Sequence, residues 1–272
     1  MLAGLAPARR RLLLVLLALL VVAAAAGTAA VVVPALSDGR GTTATAAQDA
    51  TPGPVLLVPG YGGATSALQT LADQLTAAGR DAAVVGMPGD GTGDLHASAD
   101  VLATAVDDAL ARTGADSVDV VGYSAGGVIA RLWAADGGAG QARRILTLGA
   151  PHHGTTLADL AGSVPSAACP AACVQLATGS DLIRRLNADD ETPAGPTWVS
   201  IWTTQDQTVT PPDSARLDGA VNVPVQSVCA DAVVAHGDLP RAPLVQAMVL
   251  DELDAGDPVT LTAADCARLR QG

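Results

Sequence analysis

The sequence predicts an α/β domain: a mostly parallel central sheet of about six strands, with helices on both faces. Two observations predict it. Short continuous apolar runs recur along the chain, as expected of strands buried on both faces. Segments with helical spacing separate them, and such alternation builds parallel sheets through right-handed crossovers.

The elements follow in order from Pro54. "VLLVP" reads as a first strand and "SALQTLADQLTAAG" as a helix closed by Gly79. "DAAVVGMP" is a second strand. "DLHASADVLATAVDDALARTGA" is a long helix, with Asp94 placed to cap it. "SVDVVG" is a third strand, and "SAGGVIARLWAAD" the helix after it. "RRILTLGAP" is a fourth strand, followed by a long insertion over residues 155–197. "PTWVSIWTT" and "VNVPVQSV" read as fifth and sixth strands, and "PRAPLVQAMVLDELDAG" holds the last helix.

The N-terminus reads differently. Arg9, Arg10 and Arg11 precede a long apolar run, and no further charge comes before Asp38. A basic start followed by such a run is an export signal. About 22 residues at about 1.5 Å each reach about 33 Å, enough to cross a bilayer. Residues 1–34 are therefore a signal peptide or a signal anchor. The protein is expected to be secreted, or held outside the cytoplasmic membrane by residues 12–33. Residues 35–53 are small and polar, a flexible linker, and 54–272 form the folded domain.

Composition excludes some functions. The net charge is -12 and no basic stripe exists, so nucleic acid is not an expected partner. Phe is absent, which leaves the core to Ala, Val and Leu. Four cysteines lie in the exported part, and four permit three pairings. Cys169 and Cys173 flank "PAA", a spacing that suits a local loop. Cys229 and Cys266 would then tie the C-terminal tail to the segment before His236. A zinc site does not match these spacings.

The chemistry centres on "VVGYSAGG", Val120 to Gly127. Ser124 sits between a buried strand and a helix, where a sharp turn exposes a serine oxygen above a sheet. A nucleophilic serine needs a base and an orienting acid, which follow it in the order Ser, acid, His. Of His96, His152, His153 and His236, only His236 follows the last strands. Asp206, just past the fifth strand, is the expected acid; Asp213, Asp218 and Asp231 compete. The backbone amide of Ala125 and that of Tyr61, in the loop "VPGYGGAT", are the expected oxyanion donors. His152 and His153 follow the fourth strand and should lie near the rim of the site.

"PVLLVPGYGGAT", "VDVVGYSAGG", "ILTLGAPHHGT", "IWTTQDQTVTPPDSARLDGAVNV" and "VVAHGDLP" stand in one order. Together they resemble the small bacterial triacylglycerol lipases of class 2, within the α/β-hydrolase superfamily. The resemblance implies the α/β-hydrolase fold, with Ser124 as nucleophile, Asp206 as acid, His236 as base and Tyr61 and Ala125 around the oxyanion. It implies a lipid or small ester substrate. No cofactor is expected, no acidic cluster suited to a metal is present in the sequence, and a monomer is expected. The first loop departs from the pattern, with Pro59-Gly60 where the family usually has His-Gly. The insertion is also long for that family, and loops of this length are usually functional or lids. An acyltransferase would use the same triad. A non-catalytic envelope-binding protein on the same scaffold would be marked by a broken triad, and here all three members are present.

Overall fold

The computed structural model describes residues 51–163 and 169–271. The expected signal or anchor segment, and all but the last three residues of the expected linker, lie outside them. Among the described residues no helix is long and apolar enough to cross a membrane.

The six strands are β1 (Val55–Val58), β2 (Ala82–Val84), β3 (Val118–Tyr123), β4 (Ala142–Leu148), β5 (Thr197–Trp202) and β6 (Val221–Pro224). They form one sheet in the order β2-β1-β3-β4-β5-β6, and every pairing is parallel. The larger helices are α1 (Ser66–Ala77), α2 (Leu95–Thr113) and α3 (Ala125–Ala135). Shorter ones follow: α4 (Thr156–Gly162), α5 (Ala171–Gln175), α6 (Asp181–Leu186) and α7 (Val225–Val228). The chain closes with α8 (Pro243–Glu252) and α9 (Cys266–Leu269).

Two-residue alternation sorts each strand between two cores. Leu56, Val120, Ile145 and Trp198 face α2 and α3. Val55, Leu57, Val121, Leu146 and Val199 face α1 and α8. Both layers are apolar, which is why the strands read as unbroken runs. Asp94 caps α2 as expected, accepting from the His96 amide at 2.9 Å.

One expectation is corrected. The sixth strand stops at Pro224, and Val225–Val228 is a helical turn. Proline has no N–H to continue a ladder, and β6 is the edge strand, so pairing ends there. Gly53, the last residue of the expected linker, is packed into the domain, its carbonyl accepting from Arg80 at 2.9 Å.

Charged groups fill the end of the sheet opposite the strand C-termini. The guanidinium of Arg144 donates to the main-chain carbonyls of Glu252 and Gly256. The Glu252 side chain is fully buried, and burial pushes its carboxyl up from the usual 4.5 to about 7, with Arg144 pulling the other way. The folded state therefore holds a proton that the unfolded chain has released between about pH 4.5 and 7. Stability from this group is present below that window and is lost as pH rises through it, by about 3 kcal/mol in all. Glu252→Gln is expected to stabilise the protein by about 2–3 kcal/mol at pH 8 and to change little at pH 4. Urea unfolding at pH 4, 6 and 8 checks it; an equal effect at all three would count against a buried carboxyl that titrates.

Candidate active site

The strand C-termini converge on one point, where loops after β1, β3, β5 and β6 meet, as expected of ligand sites in parallel sheets. Ser124 stands between β3 and α3 with φ 53° and ψ -126°, and is the one non-glycine residue with positive φ among those described. Such a conformation costs of order 1–3 kcal/mol, so the surroundings must hold it. The Ser124 amide donates to Leu148 O at 2.8 Å, and its carbonyl accepts from Gly127 N at 3.0 Å. The turn also needs its glycines. A Cβ on Gly126 would lie 2.1 Å from Val58 O, and one on Gly122 would lie 2.6 Å from Gly126 O.

Asp206 follows β5 and His236 opens a short 3-10 turn, Ala235 preceding it in extended conformation. Asp206 is buried. Its Oδ1 accepts from the amides of Thr208 and Val209, both at 2.8 Å. Its Oδ2 lies 2.6 Å from His236 Nδ1, and His236 Nε2 lies 3.0 Å from Ser124 Oγ. A carboxylate only accepts, so Nδ1 carries the proton and Nε2 is left to accept from the Ser124 hydroxyl. The three residues expected from the sequence are thus brought together in one hydrogen-bonded line.

A second set of residues holds the His236 loop in place. Tyr123 OH donates to the His236 carbonyl at 3.2 Å, and its ring centroid is 5.3 Å from the imidazole. Thr203 Oγ1 donates to Val234 O at 2.8 Å, and Gln205 takes the Val234 amide at 3.1 Å and donates to Ala232 O at 3.1 Å. Cys229 is bonded to Cys266, with Cα atoms 5.2 Å apart, and pins the same segment from behind. Cys169 is bonded to Cys173. Sequence reasoning missed Thr203, Gln205 and Tyr123; the only signal was that they adjoin Asp206 and Ser124.

The two expected oxyanion residues flank Ser124. Ala125 is the first residue of α3, and first-turn amides of a helix have no partner within it. The helix dipole adds a partial positive charge there. The Gly60–Gly63 loop is folded back by bonds from Gly63 N to Gly60 O at 3.0 Å and from Gly62 N to Gly91 O at 3.1 Å. Neither bond uses the Tyr61 amide. A Cβ on Gly60 would come within 2.9 Å of the Ser124 Cβ, so only glycine lets this loop lie against the serine.

The other candidates lie elsewhere. His152, expected near the rim, is fully buried: its Nε2 is 3.1 Å from Thr147 Oγ1, and its carbonyl accepts from Asn187 at 2.9 Å. Burial first, and then the Arg131 charge, hold its imidazole well below the usual range. His153 points the other way, to Glu191 at 2.9 Å. His96 is exposed on α2, and Asp231 is paired with Arg270 at 2.6 Å. Asp213 sits in the short turn Pro212–Ala215, and Asp218 lies beyond it, where its amide donates to Glu191 at 2.8 Å. Among the described residues no group of three or more His, Cys, Asp and Glu gathers as a metal site.

Beside Ser124 opens a cavity of about 220 Å³. Leu157 and Ala158 of α4, Leu176 and Val209 make its apolar wall, and Tyr61 stands at its edge.

Comparison with known proteins agrees with this architecture. A family model described as the alpha/beta hydrolase fold matches residues 53–165, which include Ser124 but stop before Asp206 and His236. No curated protein matches the sequence. Among solved structures, Aspergillus fumigatus lipase B is similar at 20% identity and a TM-score of 0.66, over 82% of this chain. The likeness spans 57% of that lipase, little more than half its length. The mature form of Bacillus licheniformis lipase BlEst2 is 21% identical, with a TM-score of 0.60 over 74% of this chain and 92% of that one. The product of the Listeria innocua gene lin2722 is 16% identical, with a TM-score of 0.55 over 78% of this chain and 99% of that one. Topology, family model and structural likeness agree on the architecture: the chain has the α/β-hydrolase fold.

Proposed function

We propose that this chain is an exported serine hydrolase of carboxylic esters, a lipase or esterase acting on acyl glycerols or similar lipid esters. The reading keeps the resemblance to the small class 2 lipases. One observation carries it: the line from Asp206 Oδ2 through His236 to Ser124 Oγ, with steps of 2.6 and 3.0 Å, at the foot of an apolar cavity.

Ser124 Oγ attacks the ester carbonyl carbon, and its proton passes to His236 Nε2. The carbonyl π pair moves onto oxygen, and the amides of Ala125 and Tyr61 stabilise that charge. As the carbonyl re-forms, the C–O bond to the alcohol breaks and His236 returns the proton to the leaving oxygen. Water then adds to the acyl-enzyme, with His236 again as base, and releases the acid. Asp206 keeps the imidazole oriented and stabilises it when charged. Export accounts for the leader and for two disulfides, which persist in oxidising compartments.

The test combines turnover with labelling. Wild-type protein should hydrolyse p-nitrophenyl butyrate and take up one diethylphosphoryl group from paraoxon, with the mass on the peptide that holds Ser124. Ser124→Ala should do neither. Equal rates for the two proteins, or a label on another residue, would sink the assignment. Product analysis with an added alcohol separates hydrolysis from acyl transfer.

A further inference from the structure

Within the insertion between β4 and β5, the described residues of α4 and α5 are tied to the body at several points. The Thr156 amide donates to Thr210 O at 2.9 Å, and the Ala172 amide to Thr92 O at 3.1 Å. Gln175 of α5 accepts from the Leu95 amide at 2.8 Å and donates to Asp94 at 2.7 Å, joining α5 to the start of α2. α4 and α5 are also bound to each other. Thr155 N donates to Leu176 O at 3.0 Å, and the Asp159 carboxylate takes the amide and hydroxyl of Thr178 at 2.9 and 2.8 Å. Ala158, Cys173 and Leu176 are buried behind the cavity, and the Cys169–Cys173 bond closes the start of α5. These bonds hold α4 and α5 against the body and against each other, as a wall needs and a swinging cover does not.

We propose that α4 and α5 form a fixed end wall of the acyl pocket, and that this wall favours short and medium acyl chains over long ones. The proposal rests on the ester-hydrolase reading. An enclosed cavity of about 150 Å³ takes one benzene, so one of about 220 Å³ has room for a short or medium acyl chain and not for a long one. In a detergent dispersion a longer chain leaves the apolar micelle without finding burial beyond the wall, and each methylene left in water loses about fourfold in kcat/KM. Leu157, Ala158 and Ala161 face the cavity from α4, at the spacing that brings residues of a helix to one side. Ala158 is buried, whereas Leu157 and Ala161 line the cavity and are partly reached by solvent, so these two tolerate change.

The experiment measures kcat/KM for p-nitrophenyl esters of two to sixteen carbons, dispersed in a fixed detergent. Wild type should peak between four and eight carbons and fall at least tenfold by twelve. Ala161→Leu adds three carbons to the wall, and should lower the eight-to-four-carbon ratio about tenfold. Leu157→Ala opens the wall and should raise the twelve-to-eight-carbon ratio. Melting temperatures identify any variant that fails to fold, and the two opposite shifts do not depend on one variant. Equal turnover of eight- and sixteen-carbon esters by wild type, or unchanged ratios in both folded variants, would overturn the fixed wall while leaving the ester-hydrolase reading intact. If no ester of any length is turned over and Ser124 takes no label, that reading fails and this proposal falls with it.

Discussion

Asp206→Asn is expected to lower kcat for ester hydrolysis by about four orders of magnitude while the protein stays folded. The size follows from which atom of the new amide must face the imidazole. Oδ1 of Asp206 accepts from the amides of Thr208 and Val209, both at 2.8 Å. An asparagine keeps those two bonds only if its carbonyl oxygen takes that position. Its NH₂ group then faces His236 Nδ1, where Oδ2 now lies at 2.6 Å. Two donors cannot share that contact, so Nδ1 must lose its proton and Nε2 must carry one. A protonated Nε2 points at Ser124 Oγ, 3.0 Å away, and can no longer accept its proton. The check is kcat and KM on p-nitrophenyl butyrate beside a melting curve. The loss should fall on kcat, with little change in KM. A loss below tenfold would mean that Asp206 does not set the tautomer of His236.

The same site shows what a sequence can carry. The order Ser124, Asp206, His236 was legible because each residue follows a strand, and strands buried on both faces are unbroken apolar runs. Ser124 was legible because its neighbours must be glycines for steric reasons that hold in any such turn. The loop braces were not. Thr203, Gln205 and Gln226 act through bonds to Val234 and Ala232 and to each other, which nothing in their spacing announces. α4, α5 and α6 are seven, five and six residues long, too short for a helical period to stand out. β6 reads too long because Val221, Val223 and Val225 alternate with other residues across Pro224, and only the missing N–H of that proline marks the end of pairing. His152 looked like a rim residue by its place after β4, yet its side chain turns into the core and bonds Thr147.

Asp119 is the other residue whose sequence setting hid its role, since it stands inside the apolar run "VDVV". Asp119→Ala is expected to destabilise the domain by about 3–5 kcal/mol, as when one partner of a buried ion pair is removed. The Asp119 side chain is fully buried and takes Arg143 through Nε at 2.9 Å and Nη2 at 2.5 Å, with Arg80 Nη2 at 2.6 Å. Both guanidiniums also donate to Leu253 O, at 2.8 and 2.9 Å, so the cluster ties β3, β4 and the end of α1 to the chain after α8. Removing the carboxylate leaves two cations facing each other away from water. Arg80→Ala should cost less, because its side chain is 15% exposed and Arg143 still neutralises Asp119. Combining Asp119→Ala with Arg143→Met should recover part of the loss, because the orphaned buried cation goes with its partner. Urea unfolding of the three variants measures these differences; a loss below about 1 kcal/mol for Asp119→Ala would show that water replaces the carboxylate. Ser124 lies five residue steps along from Asp119, about 16 Å at the usual strand rise. Asp119→Ala should therefore lower the melting temperature by about 10 °C while the folded fraction keeps its kcat, which separates what holds the sheet together from what the serine at its far end does.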